Sequence, residues 1–234
     1  MSSLARIHIL NCGTMRPLLP PFPTGVTCLL VESSDGLVLV DTGFGTRDYL
    51  QPEPGMRAFL ALMRSPRDVS ETALHQVQRL GFAPESVHHI FMTHLHVDHA
   101  GGLPDFPWAE IHVLRPEYEH ISAGFPGPEY NRAHWAHHPR WVCHDLRGDQ
   151  WLGFDAIRIP DIEPEIWMVP LTGHTPGHSG IAVKDGDHWV LHGGDAVPYN
   201  VRVDNVPDWI SRMLIGPHVP RIRHFIRANP DVTV

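Results

Sequence analysis

The chain has 234 residues, 42% of them hydrophobic and 19% charged, with a formal net charge of −8 at pH 7. That length allows one large domain, or two small ones, with a substantial core. The acidic balance, with no run of Lys or Arg to follow phosphates, excludes a nucleic-acid surface, and no stretch has the length of a membrane span.

In chain order, Arg6-Ile7-His8-Ile9-Leu10 reads as an opening strand. Pro17, Pro20, Pro21 and Pro23 exclude regular structure and predict a loop. Apolar runs at Val26 to Glu32 and Leu37 to Val40, separated by Ser33-Ser34-Asp35-Gly36, predict a hairpin. Leu60 to Met63 reads as helical. Leu74, Val77 and Leu80 recur at helical spacing within Asp68 to Leu80, and Gly81 is placed to stop that helix. The second half follows a similar grammar: Ile181-Ala182-Val183, a turn at Asp185-Gly186, then Trp189-Val190-Leu191. Both hairpins run into an aspartate beside glycine, Asp41-Thr42-Gly43 and Gly193-Gly194-Asp195, which suggests two β-rich halves facing each other with helices outside. Asp208 to Ala228 reads as mostly helical, broken at Gly216-Pro217, and a last strand begins at Asp231.

Between the halves, residues 115–150 are punctuated by Pro and Gly and crowded with Tyr118, His120, Tyr130, His134, Trp135, His137, His138, Trp141 and His144. This insertion reads equally as a lid or substrate wall and as a loop anchored to the core by its aromatics. Cys12, Cys28 and Cys143 form no CxxC pair, and no apolar leader follows Arg6. Reduced thiols and a cytoplasmic location are the expectation.

The chemistry concentrates in Thr93-His94-Leu95-His96-Val97-Asp98-His99, directly after the apolar Ile90-Phe91-Met92. Imidazoles two apart share a side only in extended or looped backbone, so this is a loop at a strand end. A carboxylate and a third imidazole follow at once, offering ligands in two directions, as two adjacent metal ions need. In Gly173-His174-Thr175-Pro176-Gly177-His178-Ser179, a sharp turn presents His174, which with His94 and His96 would complete three neutral imidazoles around one zinc. Asp195 is suited to bridging two metals, leaving Asp98 and His99 to the second ion.

These motifs, in this order, resemble the metallo-β-lactamase superfamily, with Asp41 of the Asp-Thr-Gly turn matching its first motif. The resemblance runs from about Cys28 to Asp195. It implies a single αββα sandwich of two mixed β-sheets flanked by helices. It also implies a dinuclear site, usually zinc, whose metal-bound hydroxide attacks an ester, lactone, thioester or amide carbonyl. On that resemblance Asp98 is a ligand that also holds or shuttles the proton, and Asp41 supports the ligands without touching metal. The family's last histidine would fall beyond Val234. A shortened form is the preferred explanation, with His192, His218 or His224 as substitutes, or a weak or empty second site, as the alternatives.

The missing leader disfavours a secreted antibiotic hydrolase, the acidic surface a nuclease, and His96 a flavodiiron relative. The Pro-rich loop at residues 16–23 resembles the N-acyl homoserine lactonase branch, in which a tyrosine soon after the bridging aspartate orients the substrate carbonyl; Tyr199 stands near that place. Lactone or ester hydrolysis leads. A glyoxalase II-like thioesterase is the alternative, although few residues follow Asp195 to form its helical C-terminal region, and a metal-binding relative with weak or no turnover is a third. The expected partner is a small lactone or ester, with neither nucleic acid nor membrane, and a homodimer is compatible with the aromatic insertion.

Overall fold

The computed structural model describes residues 6–18, 24–124, 127–196 and 219–234. Strands β1 (Ile7–Met15), β2 (Thr24–Ser33) and β3 (Gly36–Val40) form an antiparallel meander. Ser33 pairs with Gly36 across the predicted turn. Helices α1 (Thr46–Leu50), α2 (Pro54–Leu62) and α3 (Ala73–Arg79) follow. The last of these ends as the sequence predicts: Gly81 takes φ +89°, its N–H reaches the Gln78 carbonyl at 2.9 Å and the Phe82 N–H reaches Val77 at 3.2 Å. That pair of bonds satisfies carbonyls the helix would otherwise leave open.

Strands β4 (Val87–Phe91), β5 (Glu110–Leu114) and β6 (Arg140–His144) then add in parallel beside β3, giving a six-stranded sheet in the order β1-β2-β3-β4-β5-β6. Helix α4 (Arg115–Ser122) connects β5 to the segment before β6. The aromatic insertion is therefore partly regular structure, with a helix and an edge strand.

A small hairpin, β7 (Gln150–Trp151) with β8 (Phe154–Asp155), precedes the second sheet. That sheet holds β9 (Ile157–Ile159), β10 (Ile166–Pro170), β11 (Ser179–Asp185) and β12 (His188–His192) in antiparallel succession. Helix α5 (Val219–Ala228) and the short β13 (Val232–Thr233), parallel to β12, follow. The expected helix before residue 219 and the loop at Pro20 to Pro23 lie outside the described residues.

Period-two alternation explains the layers. Leu29, Val31, Val38, Val40 and Phe91 of the first sheet meet Ile157, Ile159, Ile166, Met168, Ile181 and Val183 of the second in one buried cluster. Their neighbours in sequence point the other way. Cys28, Leu30, Leu37 and Leu39 pack with Ala73 and Val77 of α3, while Val169, Ala182 and Leu191 pack with Ile222 and Phe225 of α5. Two sheets thus lie face to face with helices outside, the αββα sandwich expected from the sequence. Among the described residues no helix is long and apolar enough to cross a membrane.

Candidate metal centre

Strand direction gathers the functional loops. β3 and β4 are parallel, so Asp41 and the segment Thr93–His99 leave the first sheet at the same end. β10 and β12 both run antiparallel to β11, so the turn around His174 and the turn carrying Asp195 leave the second sheet at the same end, on either side of β11. The four loops meet where the sheets face each other.

His94, His96 and His174 bring ligand atoms within 4.8 Å of one another, and so do His94, His99 and Asp195. His96 Nδ1 and His174 Nε2 are 3.0 Å apart. The Asp195 carboxylate reaches across both sets, with Oδ2 at 3.1 Å from His174 Nε2 and Oδ1 at 3.2 Å from His99 Nε2. Asp98 joins neither set, although its Oδ2 is 4.0 Å from His99 Nε2. Tyr199 and His218 lie outside the described residues. His224 is exposed on α5. His192 directs its Nε2 toward Asp41 Oδ2 at 3.3 Å.

Asp41 organises this end of the site from beneath. Its backbone has φ +56°, and its fully buried carboxylate accepts the Thr93 N–H and the Thr93 hydroxyl, both at 2.8 Å. It also lies 2.8 Å from His99 Nδ1. In a neutral His99, a carboxylate on Nδ1 fixes the tautomer and leaves the Nε2 lone pair facing the site. Burial would push the Asp41 carboxyl up, but His99 and His192 reverse this and hold it well below the usual range.

Two residues essential to the geometry carried no assigned role in the sequence reading. The first is Glu117, buried in the first turn of α4. Its Oε1 accepts the Leu95 N–H at 2.9 Å, and its Oε2 accepts the Thr175 hydroxyl at 2.6 Å and the Gly177 N–H at 3.1 Å. One carboxylate therefore ties the His94–His96 loop to the His174 loop. A Cβ on Gly177 would sit 2.2 Å from the Glu117 nitrogen, so only glycine permits the approach. The second is His178, whose Nε2 accepts the Asp195 N–H at 3.1 Å and so positions that carboxylate. The GHTPGHS turn displays His178, but only the fold reveals its partner. Tyr130 of the aromatic insertion packs its ring edge-on against His96, with centroids 4.8 Å apart.

The donors suit a divalent cation. His94 Nε2 is buried with no hydrogen-bond partner, an arrangement that is costly unless something else occupies that lone pair. Burial, aided by His174, drives His96 down to about 3, and burial with His99 holds His94 below its ordinary value, so both imidazoles are neutral and able to donate. Burial opposes charge on Asp195, but His99 and His174 keep its carboxyl well below the usual range. Burial and Asp195 raise Asp98, against His99. Neutral imidazoles beside an ionised, shareable carboxylate match the chemistry of zinc and its neighbours.

The family model described as the metallo-beta-lactamase superfamily matches residues 21–225. The chain belongs to this superfamily. A probable metallo-hydrolase of Mycobacterium tuberculosis is 40% identical over 205 residues, which cover 85% of this chain and 64% of that protein. An N-acyl homoserine lactonase of a Bacillus species is 29% identical over 160 residues, covering 68% of this chain and 58% of that one. The chain thus spans less than two thirds of the length of either relative. Among solved structures, an N-acyl homoserine lactone hydrolase with N-hexanoyl-L-homoserine bound at its catalytic metal centre superposes with a TM-score of 0.71. It shares 21% identity, and the match covers 99% of this chain and 92% of that one. At that identity the likeness is one of fold, and the metallo-beta-lactamase sandwich is the fold both share.

Proposed function

We propose that this superfamily member is a metal-dependent hydrolase of a lactone or ester, with His94, His96 and His174 holding one ion and Asp98, His99 and the shared Asp195 holding a second. The observation that carries this reading is the Asp195 carboxylate spanning two sets of imidazoles. The lactonase activity of the Bacillus relative favours a lactone among carbonyl substrates.

Divalent ions bound here would supply Lewis acidity toward a carbonyl oxygen and acidify water near neutral pH. The chain's own residues do the rest. Asp41 holds the His99 ring so that Nε2 faces inward, and His178 fixes the backbone of Asp195. On this reading Asp98, whose Oδ2 lies 4.0 Å from His99 Nε2, takes a proton and returns it to the leaving oxygen. Tyr130 packs its ring edge-on against His96.

The test is hydrolysis of a phenyl ester and of an N-acyl homoserine lactone by the full chain, before and after chelation. Activity that chelation removes and zinc restores is expected. Activity indifferent to chelator and zinc, or none in protein carrying metal, overturns the reading.

A further inference from the structure

A second histidine cluster lies on the first sheet, and none of its residues belongs to the centre described above. On β4 and β5, His89 and His112 each stand two residues before a side chain of the inter-sheet core, Phe91 and Leu114, so both point to that face. His89 is in register with Glu110. His89 Nδ1 lies 3.1 Å from His112 Nε2 and 3.8 Å from Glu110 Oε2, and the three ligand atoms all fall within 4.8 Å of one another.

We propose that His89, Glu110 and His112 form an accessory site for a borderline divalent transition ion such as zinc, clipping β4 to β5. Two nitrogens each bound to a tetrahedral zinc at about 2.0–2.1 Å lie roughly 3.3 Å apart. The observed 3.1 Å is close to that, and it matches the 3.0 Å between His96 and His174. The far nitrogens are supported as ligand histidines are. His89 Nε2 meets the Asp35 carboxylate at 3.2 Å, and His112 Nδ1 meets His144 Nε2 at 2.9 Å. Glu110 is partly exposed and gives the ion an entry; its other oxygen is 3.7 Å from Arg140 Nη1, the one cation competing for it among the described ion pairs.

Protons balance along this row. Without metal, one set of tautomers satisfies every contact: His89 donates from Nε2 to Asp35, His112 from Nε2 to His89, and His144 from Nε2 to His112. When the ion takes the lone pairs at His89 Nδ1 and His112 Nε2, the His112 proton shifts to Nδ1 and the His144 proton from Nε2 to its own Nδ1. All three rings stay neutral and no proton is lost.

Zinc bound per chain, measured after dialysis against buffered zinc, tests the proposal. The unaltered protein should hold one equivalent more than folded His89→Gln or Glu110→Gln, and Asp35→Asn should weaken that equivalent by roughly 10-fold. Circular dichroism establishes folding. Glu110→Gln, at a half-exposed position, serves if His89→Gln fails to fold. Copper(II) in the unaltered chain should show nitrogen couplings from this equivalent that vanish in the variant. Equal zinc in the unaltered and variant chains overturns the proposal. Because the readout is a difference between chains, loss of the first centre would lower both totals and leave the difference intact.

Discussion

His96 is the residue whose loss separates metal from fold most cleanly. It is partly accessible, and its Nδ1 faces His174 Nε2. His96→Ala should abolish hydrolysis and take the first ion's share out of the rise in melting temperature that zinc produces; full metal content in that variant would remove His96 from the ligand set. Asp98 sits differently, outside both close sets but against His99. Asp98→Asn should keep the first ion while turnover falls by roughly 100-fold or more. Steady-state rates paired with elemental analysis check this, and unchanged turnover would take Asp98 out of the mechanism. These residues were legible in the sequence because a strand-end loop sets its candidate ligands within a few positions. Asp41 was legible by resemblance, but not its four hydrogen-bonding contacts, which come from residues 52 to 151 positions away.

At the scale of elements, α4 does more than connect. Its Glu117 gives acceptors to backbone N–H groups 22 and 60 residues distant. Glu117→Ala would strand both donors, at a cost of about 1–3 kcal/mol each, and urea melts should show a loss of about 3 kcal/mol. Zinc affinity should fall as well, since both loops lose their common anchor; unchanged affinity would mean each loop holds its own shape. Nothing in Arg115-Pro116-Glu117 announces this. An acidic residue in a first helical turn is ordinary, and only the crossing of distant loops makes it special. The row His89, His112 and His144 was hidden for a related reason, because it exists only through the register of three strands. The hairpins and the stop at Gly81 were visible because turn chemistry is local.

For the whole molecule, the neutral buried imidazoles predict an acid-sensitive metal-free state. His96 and His178, held at about 3, and His112, held at about 2, all chiefly by burial, refuse protons that the unfolded chain accepts below its ordinary histidine value near 6.5. The unfolded state therefore binds more protons in this window, and stability falls as pH drops from about 6.5 toward 3. His99, raised by Asp195, Asp41 and Asp98 against burial, acts oppositely. Its contribution is complete below about 6.5 and fades only as pH rises through its folded value. Urea midpoints of chelated protein at pH 7, 5.5 and 4.5 should decline in that order; a flat series would mean the rings are protonated in the fold. Zinc at 100 times its dissociation constant should raise stability by about 2.7 kcal/mol per site at neutral pH.

Asp41 receives His99 and Thr93 from loops of the first sheet and His192 from β12 of the second. A slip of one sheet over the other would shorten one of these contacts while lengthening another. The carboxylate thus works as a vernier for the alignment of the sandwich, read out a few ångströms away at His99. Repacking of the shared interior, at Val38 or Met168 for example, should register first as altered metal affinity, before global unfolding reports any change.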